Sequence, residues 1–134
     1  MLPGMTGART GDLGELAWVE LQPVLEDQGS LLPIDLRALP FEPKRVFVIC
    51  GVPPGTTRGG HAHRTGVQLL VRVSGEILVE LRHDGAPDEV VLDDSTAGLL
   101  VPAGVWSSQT YLTADAALLV VASEPYDQDS YCDR

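Results

Sequence analysis

The sequence predicts an all-β protein, a sandwich or barrel of short strands. Three observations predict it. Short apolar runs rich in β-branched residues recur along the chain, with turn residues between them. No segment sustains a helical period over about 11 residues. The 134 residues include 14 glycines and 10 prolines, which suits many turns better than a helical bundle. That length is one domain's worth, with a single core of fair size.

The elements follow in order. Residues 1–15 are Gly-rich and polar and read as a flexible lead; residues 16–134 read as the one folded domain. Residues 17–21 (AWVEL) alternate and predict an edge strand, with Trp18 a packing or interface residue. Asp27-Gln28-Gly29-Ser30 predicts a turn, followed by a short strand at 31–36 (LLPIDL) that Pro33 confines to an edge or bulge. Residues 45–51 (RVFVICG) predict a strand in which Cys50 is a buried thiol, and 52–60 predict a loop. Residues 67–74 (VQLLVRVS) form the next strand, closed by a turn at Gly75. Residues 76–82 alternate, with Ile77, Val79 and Leu81 on one face. His83-Asp84-Gly85 predicts a hairpin turn with an exposed histidine, and 89–92 pairs back. Residues 98–102 and 116–122 are two further apolar strands, and 125–134 predict a helical turn or two docked by Tyr126 and Tyr131. Asp93, Asp94, Asp127 and Asp129 read as solvated turns rather than a paired-carboxylate site.

Charge narrows the function. Nine basic residues face nineteen acidic ones, a net charge of -10. That sign argues against DNA, RNA and polybasic membrane contacts. No apolar run approaches the roughly 18 residues of a membrane span. The first ten residues lack the apolar centre of a signal peptide. Cys50 and Cys132 match no metal or redox spacing. Together these predict a cytoplasmic protein.

The chemistry lies in Arg58-Gly59-Gly60-His61-Ala62-His63-Arg64. On an extended chain His61 and His63 share a face, because strand side chains alternate. An imidazole titrates near neutrality, so it can take a proton and return it. Gln68, Ser107 and Ser108 are candidate donors in the same mouth. Trp106 is either a pocket wall or a core residue. Arg58 and Arg64 flank the pair, with Arg72 and Arg82 near in sequence, and a forked guanidinium suits phosphate. A charge of -10 thus excludes long polyanions but not a small dianion.

The spacing of Gly55, His61, His63, Gln68 and Gly75 resembles the first cupin motif. Gly98, Pro102-Ala103-Gly104 and Trp106 resemble the second. The resemblance implies a jelly roll with its site in the barrel mouth. In it Gln68 stands at the acid-ligand position and Ser107 at the later histidine. Both are poor ligands for a transition metal, so no metal and no cofactor is expected. A purely structural histidine pair and a metal-dependent cupin such as a dioxygenase are the rival readings.

From Leu25 onward the chain more closely resembles the sugar-nucleotide 3,4-ketoisomerases of the WxcM-like cupins. The segments that carry this are Gln28-Gly29-Ser30-Leu31, Arg45-Val46-Phe47, the Arg58–Arg64 run, Gln68, Gly98-Leu99-Leu100-Val101-Pro102, Val105-Trp106 and the tail from Ala122 to Tyr131. The resemblance implies a metal-free homodimer whose N-terminal strands pair or exchange. It implies action on a dTDP-4-keto-6-deoxyhexose in deoxysugar biosynthesis. His61 is then the base and His63 its partner, with Arg58 and Arg64 holding diphosphate and sugar. The chain departs from the family at Val48, where tyrosine is usual, at Gln28, where arginine is usual, and at Ser107 and Ser108, where histidine and glutamate are usual. A binding protein that has lost catalysis, or a related epimerase, are the alternatives these departures leave.

Overall fold

The computed structural model describes residues 17–83 and 86–127, with strand pairing at 131–132. The expected lead at 1–15, Leu16, the Asp84-Gly85 turn, Asp129 and the side chains of Tyr131 and Cys132 lie outside the described residues. The strands are β1 (Ala17–Val19), β2 (Val24–Glu26), β3 (Gly29–Leu31), β4 (Arg45–Cys50), β5 (Thr56–His63), β6 (Gln68–Ser74), β7 (Ile77–His83), β8 (Ala86–Leu92), β9 (Gly98–Val101), β10 (Trp106–Tyr111), β11 (Ala117–Ala122) and β12 (Tyr131–Cys132). One sheet runs β1-β9-β6-β11-β4 and the other β12-β5-β10-β7-β8, while β2 and β3 form a separate hairpin. Every pairing is antiparallel. Two such sheets face to face make the expected sandwich of jelly-roll type.

Strand alternation builds the core. Leu70, Leu118, Val120 and Leu99 of the first sheet meet Ile77, Val79, Leu81, Leu92 and Tyr111 of the second. Each side chain fully buried there contributes about 1.5–3 kcal/mol. The outer face of the first sheet is also apolar. Leu69, Val71 and Val121 lie under Leu21, Leu32, Ile34, Leu39 and Phe41 of the N-terminal segment. That cover explains why β6 and β11 read as continuous apolar runs rather than alternating ones. No helix among the described residues is long and apolar enough to cross a membrane.

Several expectations are corrected. Residues 31–36 are not a strand: β3 ends at Leu31, and a 3-10 turn follows at Leu36–Ala38, capped by the Asp35 carboxylate. The loop before the histidines is shorter than expected, because Thr56 already begins β5. Strand β8 starts at Ala86, not at 89. Strand β10 is new, since its sequence WSSQTY has no apolar run. The tail gives β12 rather than a helical turn there, with Tyr131 opposite His63 in register. Cys50 is exposed, because Arg45, Phe47 and Ile49 take the inward side of β4 and leave Val46, Val48 and Cys50 outside. His83 is exposed as expected, at the end of β7.

Candidate active site

At one end of the sandwich the inward positions turn from apolar to polar. Arg45 of β4, Arg58, His61 and His63 of β5, Gln68 of β6, and Ser107 and Gln109 of β10 face a cavity of about 320 Å³. Phe47, Val48, Ile49, Leu70 and Val120 supply its apolar wall. Among the described residues its lining holds two guanidiniums and no carboxylate. In a protein of charge -10 that is a local reversal of sign.

A bulge assembles the β5 side. Ser107 pairs with His61 but Ser108 pairs with Gly59, so Gly60 is an extra residue. Arg58 and His61 are three apart and on a regular strand would face opposite ways. The bulge brings them to the same face. Gly59 and Gly60 both carry φ near +86°, a conformation that disfavours any side chain. At Gly59 a Cβ would also lie 3.1 Å from Gln109 Oε1 and 3.2 Å from the Ser107 carbonyl.

His61 and His63 meet edge to face, with ring centroids 5.4 Å apart. Burial lowers the pKa of His61, partly offset by its hydrogen bond with the Gly59 backbone. His63 is lowered by burial first, then by the charges of His61 and Arg45, with Glu124 acting in the opposite sense. Both imidazoles are therefore biased toward the neutral, proton-accepting form. Glu124 is itself held by the Thr65 hydroxyl, which contacts its two oxygens at 3.0 and 2.8 Å. No three His, Cys, Asp or Glu side chains among the described residues gather as a cation's ligands would.

A family model described as FdtA, WxcM-like, C-terminal, matches residues 14–134. The chain belongs to this family. It is 32% identical over 114 residues to a TDP-4-oxo-6-deoxy-alpha-D-glucose-3,4-oxoisomerase of Aneurinibacillus thermoaerophilus, covering 84% of this chain and 82% of that one. Among solved structures it resembles QdtA, a sugar 3,4-ketoisomerase of Thermoanaerobacterium thermosaccharolyticum in complex with TDP, with a TM-score of 0.82 and 31% identity. That match covers 89% of this chain and 88% of the other. It also resembles the TDP-quinovose 3,4-ketoisomerase WlaRB of Campylobacter jejuni, with a TM-score of 0.79 and 29% identity over 89% of this chain and 92% of that one.

Within this FdtA-family fold the cavity gathers His61, His63, Arg58, Gln68 and Ser107, as the sequence suggested. Three other candidates lie elsewhere. Trp106 is neither a pocket wall nor a core residue: it stands on the outward side of β10, opposite Arg82, whose guanidinium carbon lies 4.3 Å from its ring centroid. Ser108 shares that outward side, opposite Glu80. Arg64 follows His63 and joins Lys44, Tyr126 and Asp127 along a shallow surface groove. The expected patch of Arg72 and Arg82 does not form at the site, since Arg72 donates to the Gly75 carbonyl at 2.7 Å and Arg82 stacks on Trp106.

Two site residues were missed. Gln109 follows Ser107 by two on β10, so alternation alone would have put it on the cavity face. Arg45 begins β4, and its inward side could be read from the Arg45, Phe47, Ile49 alternation. Its closeness to the histidines could not, because β4 and β5 lie in different sheets.

Proposed function

We propose that the chain is a sugar-nucleotide 3,4-ketoisomerase acting on a dTDP-4-keto-6-deoxyhexose. The observation that carries the reading is the pair of neutral-biased imidazoles in a cavity lined by two guanidiniums and no carboxylate. The sequence kinship supports the same substrate class, because a QdtA structure with 30% identity to this chain is a complex with TDP-4-keto-6-deoxyglucose.

The chemistry needs no net redox partner. His61 accepts the C3 proton, the C–H pair becomes the C3–C4 double bond, and the carbonyl pair moves onto O4. The O3 proton passes to O4. The O3 oxyanion then reforms a carbonyl at C3 while C4 takes back a proton from the His61 imidazolium, directly or relayed through His63. The keto group has moved by one carbon, and every proton is accounted for. Imidazoles suit both transfers near neutral pH. Arg58 is suited to the diphosphate through its forked donors. Gln68, Gln109 and Ser107 supply hydrogen bonds to sugar hydroxyls.

The reading includes a homodimer. Val46 and Val48 are 52% and 55% exposed on edge strand β4, and Val24, Leu25 and Leu31 are exposed on the β2–β3 hairpin. Exposed apolar side chains on an edge strand and a hairpin suit association with a second copy. Light scattering on purified protein tests it, and a monomer at micromolar concentration would overturn it.

The function is tested by proton NMR of dTDP-4-keto-6-deoxyglucose incubated with the protein. Formation of a 3-keto sugar nucleotide is the expected result. Tight dTDP binding with no product would instead favour a non-catalytic binding protein.

A further inference from the structure

Arg45 is a cation that the histidine motif does not explain. Its guanidinium carbon lies 4.4 Å from the Phe47 ring centroid and 5.0 Å from that of Tyr126. Phe47 comes from the same inward face of β4, and Tyr126 comes from the C-terminal tail. Two rings thus grip one guanidinium. A guanidinium held over aromatic rings keeps its five N–H donors available for hydrogen bonds.

The position matters as much as the grip. Arg45 lines the cavity and also the narrow cleft that His63, Gln68 and Glu124 share behind it. Arg45 and Gln68 are both register partners of Ala122. Cys50 ends the same strand opposite Ala117, and the groove beside Cys50 is lined by Arg58. Arg58 therefore lies toward the Cys50 end of β4, while Arg45 begins that strand. One cation lies toward the far end, and the other lies beside His63 and Gln68.

We propose that Arg45 is a catalytic residue that stabilises the enediolate oxygens, and that Phe47 and Tyr126 are positioning residues that fix its plane toward them. This rests on the isomerase reading above. A diphosphate held by Arg58 puts the sugar toward the histidines, and the charge that develops during proton transfer falls on O3 and O4. A preorganised cation beside that point acts on the transition state more than on the bound ground state. The tail is thereby part of the site, because Tyr126 supplies one of the two rings.

The test is a kcat against KM comparison on the 4-keto sugar nucleotide. Arg45→Met is expected to lower kcat by about 100-fold, with KM changed by no more than about three-fold. Arg58→Met is expected to do the reverse, raising KM by about 10-fold or more with a smaller effect on kcat. Tyr126→Leu, at an exposed tail position that leaves the core intact, is expected to lower kcat by about five- to ten-fold, and Tyr126→Phe is expected to restore it. A kcat for Arg45→Met within about three-fold of the unaltered protein overturns the proposal, as does a KM rise without a kcat loss. Equal loss in Tyr126→Leu and Tyr126→Phe overturns the positioning role of the ring. If the unaltered protein makes no 3-keto product, the isomerase reading itself fails and the proposal falls with it.

Discussion

His61 and His63 meet edge to face, their ring planes at 76° and their centroids 5.4 Å apart. They are neighbours but one on β5, on the same side of the strand, and each is pushed toward its neutral form by burial. A pair so placed can hold a base ready at a pH where an exposed histidine would be partly protonated.

The pH dependence of kcat/KM should show it. The acid limb is expected below about pH 6.5, the ordinary histidine value. Steady-state rates between pH 5 and 8 check this, and a limb above 6.5 would contradict the lowered values. Arg45→Met removes a charge that lowers His63, so any limb that belongs to His63 should move upward.

Stability carries the same signature. A histidine whose folded pKa lies below its unfolded value binds its proton better when unfolded. Its contribution is full above about pH 6.5 and is lost as pH falls through the lower folded values. The Tm advantage of the unaltered protein over a His61→Asn, His63→Asn double variant should shrink between pH 7 and pH 5. An advantage that is flat or grows over that range would contradict the lowered values.

The Gly59–Gly60 bulge should be intolerant. Gly59→Ala combines φ of +86° with close approach to Gln109 and the Ser107 carbonyl. The left-handed backbone alone costs about 1–2 kcal/mol. Chemical denaturation should report a loss of at least that size, with activity falling further because the bulge sets Arg58 and His61 on one face. Gly104→Ala has positive φ but nothing within 4 Å, so it should lose stability without losing the site.

Tyr111 offers a contrasting case. It is fully buried, its hydroxyl has no hydrogen-bond partner among the described residues, and burial pushes its pKa up to about 12. An unsatisfied buried hydroxyl costs about 1–3 kcal/mol. Tyr111→Phe should therefore raise Tm or leave it unchanged; a clear fall would mean that the hydroxyl has a partner, such as a buried water.

The legible parts of the fold were those where packing alone chose the residues. Strands β4, β6, β7 and β11 are mostly apolar on the faces they bury, and they could be read directly. Strand β10 could not, because its inward side carries Ser107 and Gln109 where a core strand would carry valine or leucine. Function overrides the packing pattern there. The histidine pair was readable because it is local, two residues apart on one strand. Arg45 was not readable as a site residue, because the opposed sheets bring it to the histidines from a distant segment. Trp106 and Ser108 fall outside the cavity because strand alternation turns them away from the side that carries Ser107 and Gln109.

The central claim is that these histidines move a carbon-bound proton. The direct measurement is NMR of the 4-keto sugar nucleotide incubated with the protein in deuterated water, using the unaltered chain, His61→Asn and His63→Asn. The account predicts deuterium at C3 of recovered substrate and at C4 of the 3-keto product. It predicts that His61→Asn loses the C3 exchange while remaining folded by circular dichroism. Undiminished C3 exchange in a folded His61→Asn protein would contradict it.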